Sequence, residues 1–298
     1  MIFIPLREPK YKRNVAIVKR YGNTHLRLSL HQTLRTKGLD CPNKHPPGKG
    51  SVNEEKLDES ISRTKSRLYE YALCNPWDWF VNFTLDPVKY DRHDLKRYCK
   101  DLAQWIRNYN RLRNTNIKYL FVPERHKDGA WHIHGFICGL PPDHLTPFTL
   151  EDHLPYKLRK KLAANHAVYN WEAYAKKFGY CDIEPIRNPE AAKKYILKYI
   201  TKDLSRCVSE LNAHMFYASQ GLNKAETVKQ GILIEKFTDI APIDYENDYV
   251  TVSWLPNDEK TLKRLTDSVI TEREKAARAA TQTASPIDYE NDYVPVGT

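Results

Sequence analysis

Aromatic and β-branched residues crowd between Trp79 and Leu85 (WFVNFTL), a run bounded by Asn-Pro and Asp-Pro, which predicts a central strand. Asp91 then caps a helix reaching to about Arg113, in which Leu95, Tyr98, Leu102, Ile106, Tyr109 and Leu112 recur at helical spacing. Two further apolar runs, Ile117 to Glu124 and Trp131 to Cys138, flank Lys127-Asp128-Gly129, a good tight-turn sequence, and are expected to pair as an antiparallel hairpin. Gly179 to Ile186 reads as the next strand, and His214 to Ser219 as one more. From Pro189 to about Lys202 the pattern predicts a helix, with Asn188 as its N-cap, Pro189 at the first helical position and Glu190 at the positive end of the dipole. Strand, helix, strand, strand is the first half of a split β-α-β arrangement. The expected class is therefore α+β, a ferredoxin-like antiparallel sheet with helices packed on it.

The flanks have a different character. Ser51 to Leu73 reads as a helix with Leu57, Ile61, Leu68, Tyr71 and Leu73 near one side and Arg63, Lys65 and Arg67 clustered on it; CPNKHPPGKGS before it reads as a loop. Residues 139–178, Pro/Leu-rich at first and helix-like later, are taken as an insertion or substrate-side lid. Beyond Lys236, the nine residues Pro242 to Val250 recur identically as Pro286 to Val294. Asn257 begins a charged helix to about Ala280, and ATQTASP reads as linker. The expected organisation is a basic N-terminal extension over 1–74, a central domain over 75–235 and an acidic C-terminal tail over 236–298.

Charge sharpens this division. Residues 1–70 carry 15 Lys/Arg against 7 Asp/Glu, whereas residues 236–298 carry 7 against 12, within a net +10 for the chain. A positive excess over the first two segments suits a polyanion partner, although many proteins carry such charge on solvated faces. The six cysteines form no CxxC pair and are expected to be reduced thiols; Cys41-x-x-x-His45 is at most half a zinc site. With no apolar run of transmembrane length and a start too short for a signal peptide, the expected location is the cytoplasm, with no membrane partner. No Walker-type phosphate loop occurs, so unwinding would come from elsewhere.

The candidate chemistry sits in two stretches. His132 and His134 are one residue apart, so a strand places both imidazoles on one face, and the hairpin can bring Glu124 beside them. Two nitrogens and one carboxylate oxygen would hold a divalent cation, Mg²⁺ or Mn²⁺, with positions left open. Each histidine taken alone also fits a satisfied, half-buried side chain. Asp182 and Glu184 alternate onto one strand face and either complete the metal site or face solvent. In the late helix, Tyr195 and Tyr199 lie four residues apart on one face, beside a stripe of Lys198 and Lys202 able to neutralise phosphate and lower a phenol's pKa. Their plain alternative is a core-facing stripe with Ile196 and Ile200.

His132-Ile133-His134 resembles the two-histidine motif of the HUH endonucleases, and Tyr195 to Lys202 (YILKYITK) the paired-tyrosine motif of rolling-circle replication initiators of single-stranded DNA phages and related bacterial elements. Phe83-Thr84-Leu85-Asp86 is similar to the family's first motif. The resemblance covers roughly Asn75 to Asp203. It implies a nickase and strand transferase: Glu124, His132 and His134 hold the metal, and Tyr195 or Tyr199 attacks single-stranded origin DNA. The products would be a 5′-phosphotyrosine link and a free 3′-hydroxyl. Lys198 would steer the phosphate, Lys194, Lys202, Thr84, Arg63, Lys65 and Arg67 would contact DNA, and a bacterial host's polymerase and helicase would be partners. One departure is that the carboxylate lies eight residues before the histidine pair, so its role depends on hairpin register. A tyrosine transposase or relaxase of the same chemistry, or a non-catalytic sheet binding single strands by stacking, are the competing readings.

Overall fold

A computed structural model of the chain describes residues 11–35, 54–201, 204, 205, 207 and 214–283. The candidate half zinc site at Cys41 and His45, Lys202, and the second copy of the repeat lie outside the described residues. The chain divides into two units, residues 45–225 and residues 1–44 together with 226–298. This replaces the three consecutive segments expected from charge, because strands from the two ends of the chain pair with each other. The first of these strands, β1 (Tyr11–Tyr21) and β2 (His25–Arg35), form a hairpin.

In the central unit, α1 (Glu54–Cys74), β3 (Trp79–Thr84), α2 (Leu95–Arg113), β4 (Lys118–Arg125) and β5 (Trp131–Cys138) follow the expected order. Then come β6 (Thr146–Pro147), α3 (Tyr156–Ala163), β7 (Tyr169–Asn170), α4 (Glu172–Lys177), β8 (Cys181–Pro185), α5 (Pro189–Leu197) and β9 (Tyr217–Ala218). The sheet runs β6-β7-β8-β3-β5-β4-β9, antiparallel throughout. Its middle four strands stand in the order β8-β3-β5-β4, so two crossovers interleave, β3-α2-β4 around β5 and β5 to β8 around β3. That is the ferredoxin-like α+β arrangement expected.

Strand alternation gives this sheet two unlike faces. Trp79, Val81 and Phe83 of β3, Trp131, Ile133 and Ile137 of β5, and Cys181 and Ile183 of β8 are buried in the main core with Leu95, Tyr98, Leu102 and Ile106 of α2. Trp171, Tyr174 and Phe178 belong to the same core, with the Phe83 and Tyr174 rings stacked at 4.1 Å. Residues 139–178 are therefore the second crossover of the fold rather than an insertion, since their aromatics fill the space between helix and sheet.

Local capping corrects two other expectations. The cap of α2 is Asp94, whose side chain accepts the Arg97 N–H, whereas Asp91 accepts the His93 N–H in the preceding turn. The helix that carries Tyr195 stops at Leu197 instead of about Lys202. Lys198, Tyr199 and Ile200 donate their N–H groups three residues back, which tightens the helix end into a turn. Thr201 then accepts the Leu204 N–H on its side chain, the mark of a fresh helical start.

The terminal unit is a six-stranded antiparallel sheet that includes β10 (Glu226–Leu233), β11 (Tyr245–Glu246), β12 (Val250–Pro256) and β13 (Val269–Ile270), in the order β11-β12-β2-β1-β10-β13. Short helices α6 (Phe237–Ile240), α7 (Glu259–Asp267) and α8 (Glu272–Thr283) accompany it. Ala16, Val18, Leu26 and Leu28 meet Phe237, Ile240, Leu265 and Val269 in its core. The expected acidic tail is thus folded over its described part. The single helix expected from Asn257 is two helices around β13, and the first copy of the repeat forms the β11-β12 turn. Among the described residues no helix is long and apolar enough to cross a membrane.

Candidate active site

The second face of the central sheet carries a polar row. In the hairpin Glu124 stands opposite His132, in the register that puts both on the same side. Gly129, at φ +84°, makes the turn. Gly135 lets β4 and β5 close, since a Cβ there would meet the Leu120 carbonyl oxygen at 2.3 Å. Asn82 stands between Asp182 on β8 and His134 on β5.

These neighbours form a chain of hydrogen bonds. Asn82 Nδ2 donates to Asp182 Oδ1 at 2.6 Å, so its Oδ1 faces His134 Nδ1, also at 2.6 Å, and accepts from it. His134 Nε2 then presents its lone pair to Glu124 Oε2 at 2.6 Å. Two electron pairs that close need a cation between them, a proton or a metal ion. Burial holds the His134 imidazole below its usual pKa, with Glu124 opposing that shift. His132 Nδ1 lies 2.9 Å from Thr84 Oγ1, and burial, then the charges of His126 and His134, push its pKa down to about 4. Both imidazoles thus have Nδ1 engaged by a β3 side chain, which leaves Nε2 as the ligating atom, the outer support that metal-binding histidines require.

The donor set fits a divalent cation, with one difference from the expected three-residue cluster. Glu124 and His134 are joined, whereas the His132 ring lies flat on His126 at 3.6 Å. Among the described residues no three His, Cys, Asp or Glu side chains already stand at metal-holding spacing. His126, whose Nε2 is 4.0 Å from Glu124 Oε2, was not singled out by sequence reasoning. Its signal was present, since Glu124-x-His126 continues the strand alternation one step past the end of β4.

The tyrosines lie over this row. The Tyr199 ring stacks on His134 at 4.0 Å, nearly parallel, and is 9% exposed, while Tyr195 is 44% exposed and meets Phe80 edge-on at 5.5 Å. The Tyr199 hydroxyl donates to the Tyr195 hydroxyl at 3.0 Å. Lys198 Nζ is 3.4 Å from the centre of the Tyr195 ring and 4.8 Å from that of Tyr199. These neighbours separate the two phenols. Burial resists ionisation of Tyr195, but Lys198, Tyr199 and the more distant Lys161 outweigh it and hold its pKa below the ordinary value. Burial, then the hydrogen bond to Tyr195, pushes Tyr199 well above it.

Glu124, His134, Asn82, Asp182, Tyr195 and Tyr199 all line one cleft of about 1120 Å³, together with Lys198 and Lys161. Burial raises the Asp182 carboxyl to about 6, with Asn82 opposing. Asp182 therefore orients Asn82, while Glu184 pairs with Lys161 at 2.5 Å. Thr84 is occupied by His132, and Arg63, Lys65, Arg67 and Lys194 are not among the residues that line the cleft.

Residues 78–204, less than half of the chain, match the family model of the replication-associated protein ORF2. The match is consistent with a rolling-circle replication initiator. It spans β3 to the turn after α5 and so contains every residue of the polar row. Such a family supports a role in initiating replication, with DNA as partner. Neither the curated proteins nor the solved structures contain a match to the chain.

Proposed function

We propose that the central unit is a metal-dependent nickase and strand transferase that opens single-stranded origin DNA for rolling-circle replication. The observation that carries this reading is the convergence of a tyrosine pair on an imidazole–carboxylate cradle inside one cleft. Tyr199 bridges the two parts, stacked on His134 and donating to Tyr195. Glu124 and His134, joined by His132, would hold Mg²⁺ or Mn²⁺. The chemistry such a cation supplies is neutralisation of charge on the scissile phosphate.

Tyr195 is the first nucleophile. Its hydroxyl belongs to the more exposed phenol, accepts a hydrogen bond from Tyr199, and lies beside Lys198, whose charge favours phenolate. The phenolate oxygen forms a bond to phosphorus, the bond from phosphorus to the 3′-oxygen breaks, and that oxygen takes a proton to become a free 3′-hydroxyl. The 5′-phosphate stays on Tyr195, so the link conserves the phosphodiester for rejoining. Tyr199, kept protonated, is placed to act on a second strand once Tyr195 is occupied. The 3′-hydroxyl would prime a host polymerase, and a host helicase would open the duplex.

The test is incubation with Mn²⁺ and labelled single strands tiling the element that encodes the protein, with SDS-resistant adduct as readout. Tyr195→Phe should remove most adduct, Tyr199→Phe less, and the double variant all of it. Undiminished adduct in the double variant would overturn the mechanism.

A further inference from the structure

The cleft has a wall that this mechanism does not use. Helix α3 reads Tyr-Lys-Leu-Arg-Lys-Lys-Leu-Ala, with four basic residues and no acidic one. Leu158 pins it from below in a small separate core with Leu154 and Val168. A basic helix is ordinarily a solvated face, but here Lys157 and Lys161 line the same cleft as Tyr195 and Glu124, while Arg159 and Lys160 are exposed and do not. Four residues apart, the two lysines are separated by about 6 Å along the helix axis, comparable with consecutive phosphates of an extended strand. Arg125 and Lys127, at the β4–β5 turn, add positive charge elsewhere on the cleft lining. Lys161 is fixed by Glu184, which stands opposite Phe80, the residue against which Tyr195 packs.

We infer that α3 is a wall of a single-strand track, in which Lys157 and Lys161 take backbone phosphates next to the one attacked by Tyr195. The contact is to phosphate alone, so it is independent of base sequence and fixes the strand's position over the phenol. The DNA-contact residues expected from sequence lie elsewhere, so the track adds a surface to the proposed nickase and rests on that reading.

Binding of a fluorescein-labelled poly-dT oligonucleotide by the full chain, in EDTA so that no cleavage intervenes, tests the track across a salt series. Each lost phosphate contact on a single strand lowers the log–log salt slope by about 0.7, so Lys157→Gln with Lys161→Gln should lower it by about 1.4. Lys157→Arg with Lys161→Arg should restore the slope, and Arg159→Gln with Lys160→Gln should leave it near that of wild type. Circular dichroism confirms that each variant folds. An unchanged slope in the Lys157/Lys161 glutamine variant, with wild type still forming adduct, overturns the track and leaves the nickase standing. Absence of both binding and adduct in wild type overturns both.

Discussion

The two faces of the central sheet are built from the same strands, one residue out of step, and they obey opposite rules. On one, Trp131, Ile133 and Phe83 are at most 1% exposed and pack into the apolar core. On the other, His132, His134, Asn82, Asp182 and Glu124 are half-buried polar groups, most of them joined by short hydrogen bonds. A strand's period of two therefore assigns stability and chemistry to alternating positions. Substitutions on neighbouring residues should have separable effects.

The largest effect tests that separation. Trp131→Ala should cost about 3–5 kcal/mol, a large part of a domain's stability, through lost burial and the cavity left behind. His134→Ala, three residues on and facing the other way, should leave the melting temperature nearly unchanged. It should weaken Mn²⁺ binding by more than the roughly 100-fold that loss of an outer partner costs. Thermal denaturation and Mn²⁺ titration on the two variants measure both. If both substitutions unfold the chain, the faces are not independent.

A smaller effect tests how the polar face holds its own geometry. Asn82 touches no substrate; it fixes the His134 tautomer, so Asn82→Ala should lower Mn²⁺ affinity by about 10- to 100-fold. Asn82→Asp, which keeps an acceptor for Nδ1, should recover part of that loss. Equal affinity in the alanine variant would mean that the tautomer is fixed by something else.

How far these features were legible in the sequence follows from range. The hairpin from Lys118 to Cys138 was readable because alternation and a Lys-Asp-Gly turn are local signals, and they placed Glu124 opposite His132 in the observed register. The Leu26, Leu28, Leu30 alternation of β2 is just as local, but nothing in it names a partner more than 200 residues away, so the pairing of the two chain ends came only from the structure. Asn82, Asp182 and Lys161 could not be assigned from local pattern. Their partners lie 52, 100 and 23 residues away, and only strand order brings them together. Helix spacing carried on through Ile200, which hid the break at Leu197. What ends the helix there is Thr201 starting a new turn, a competition between caps that spacing does not express.

The smallest effect asks whether the polar face costs stability. The folded-state pKa of Asp182 is raised from 3.8 to about 6, chiefly by burial, so the fold favours the protonated carboxyl. The stability this gives is fully present below about pH 4 and is lost as pH rises through about 6. Asp182→Asn keeps an acceptor for the Asn82 amide and carries no charge to bury. Relative to wild type it should therefore gain stability on the order of 1–2 kcal/mol above about pH 7 and little at about pH 4. Urea denaturation of both proteins across that range measures the difference. A gap that does not change with pH would show that the Asp182 carboxylate is accommodated without penalty, and that the chemical face is no less stable than the apolar one behind it.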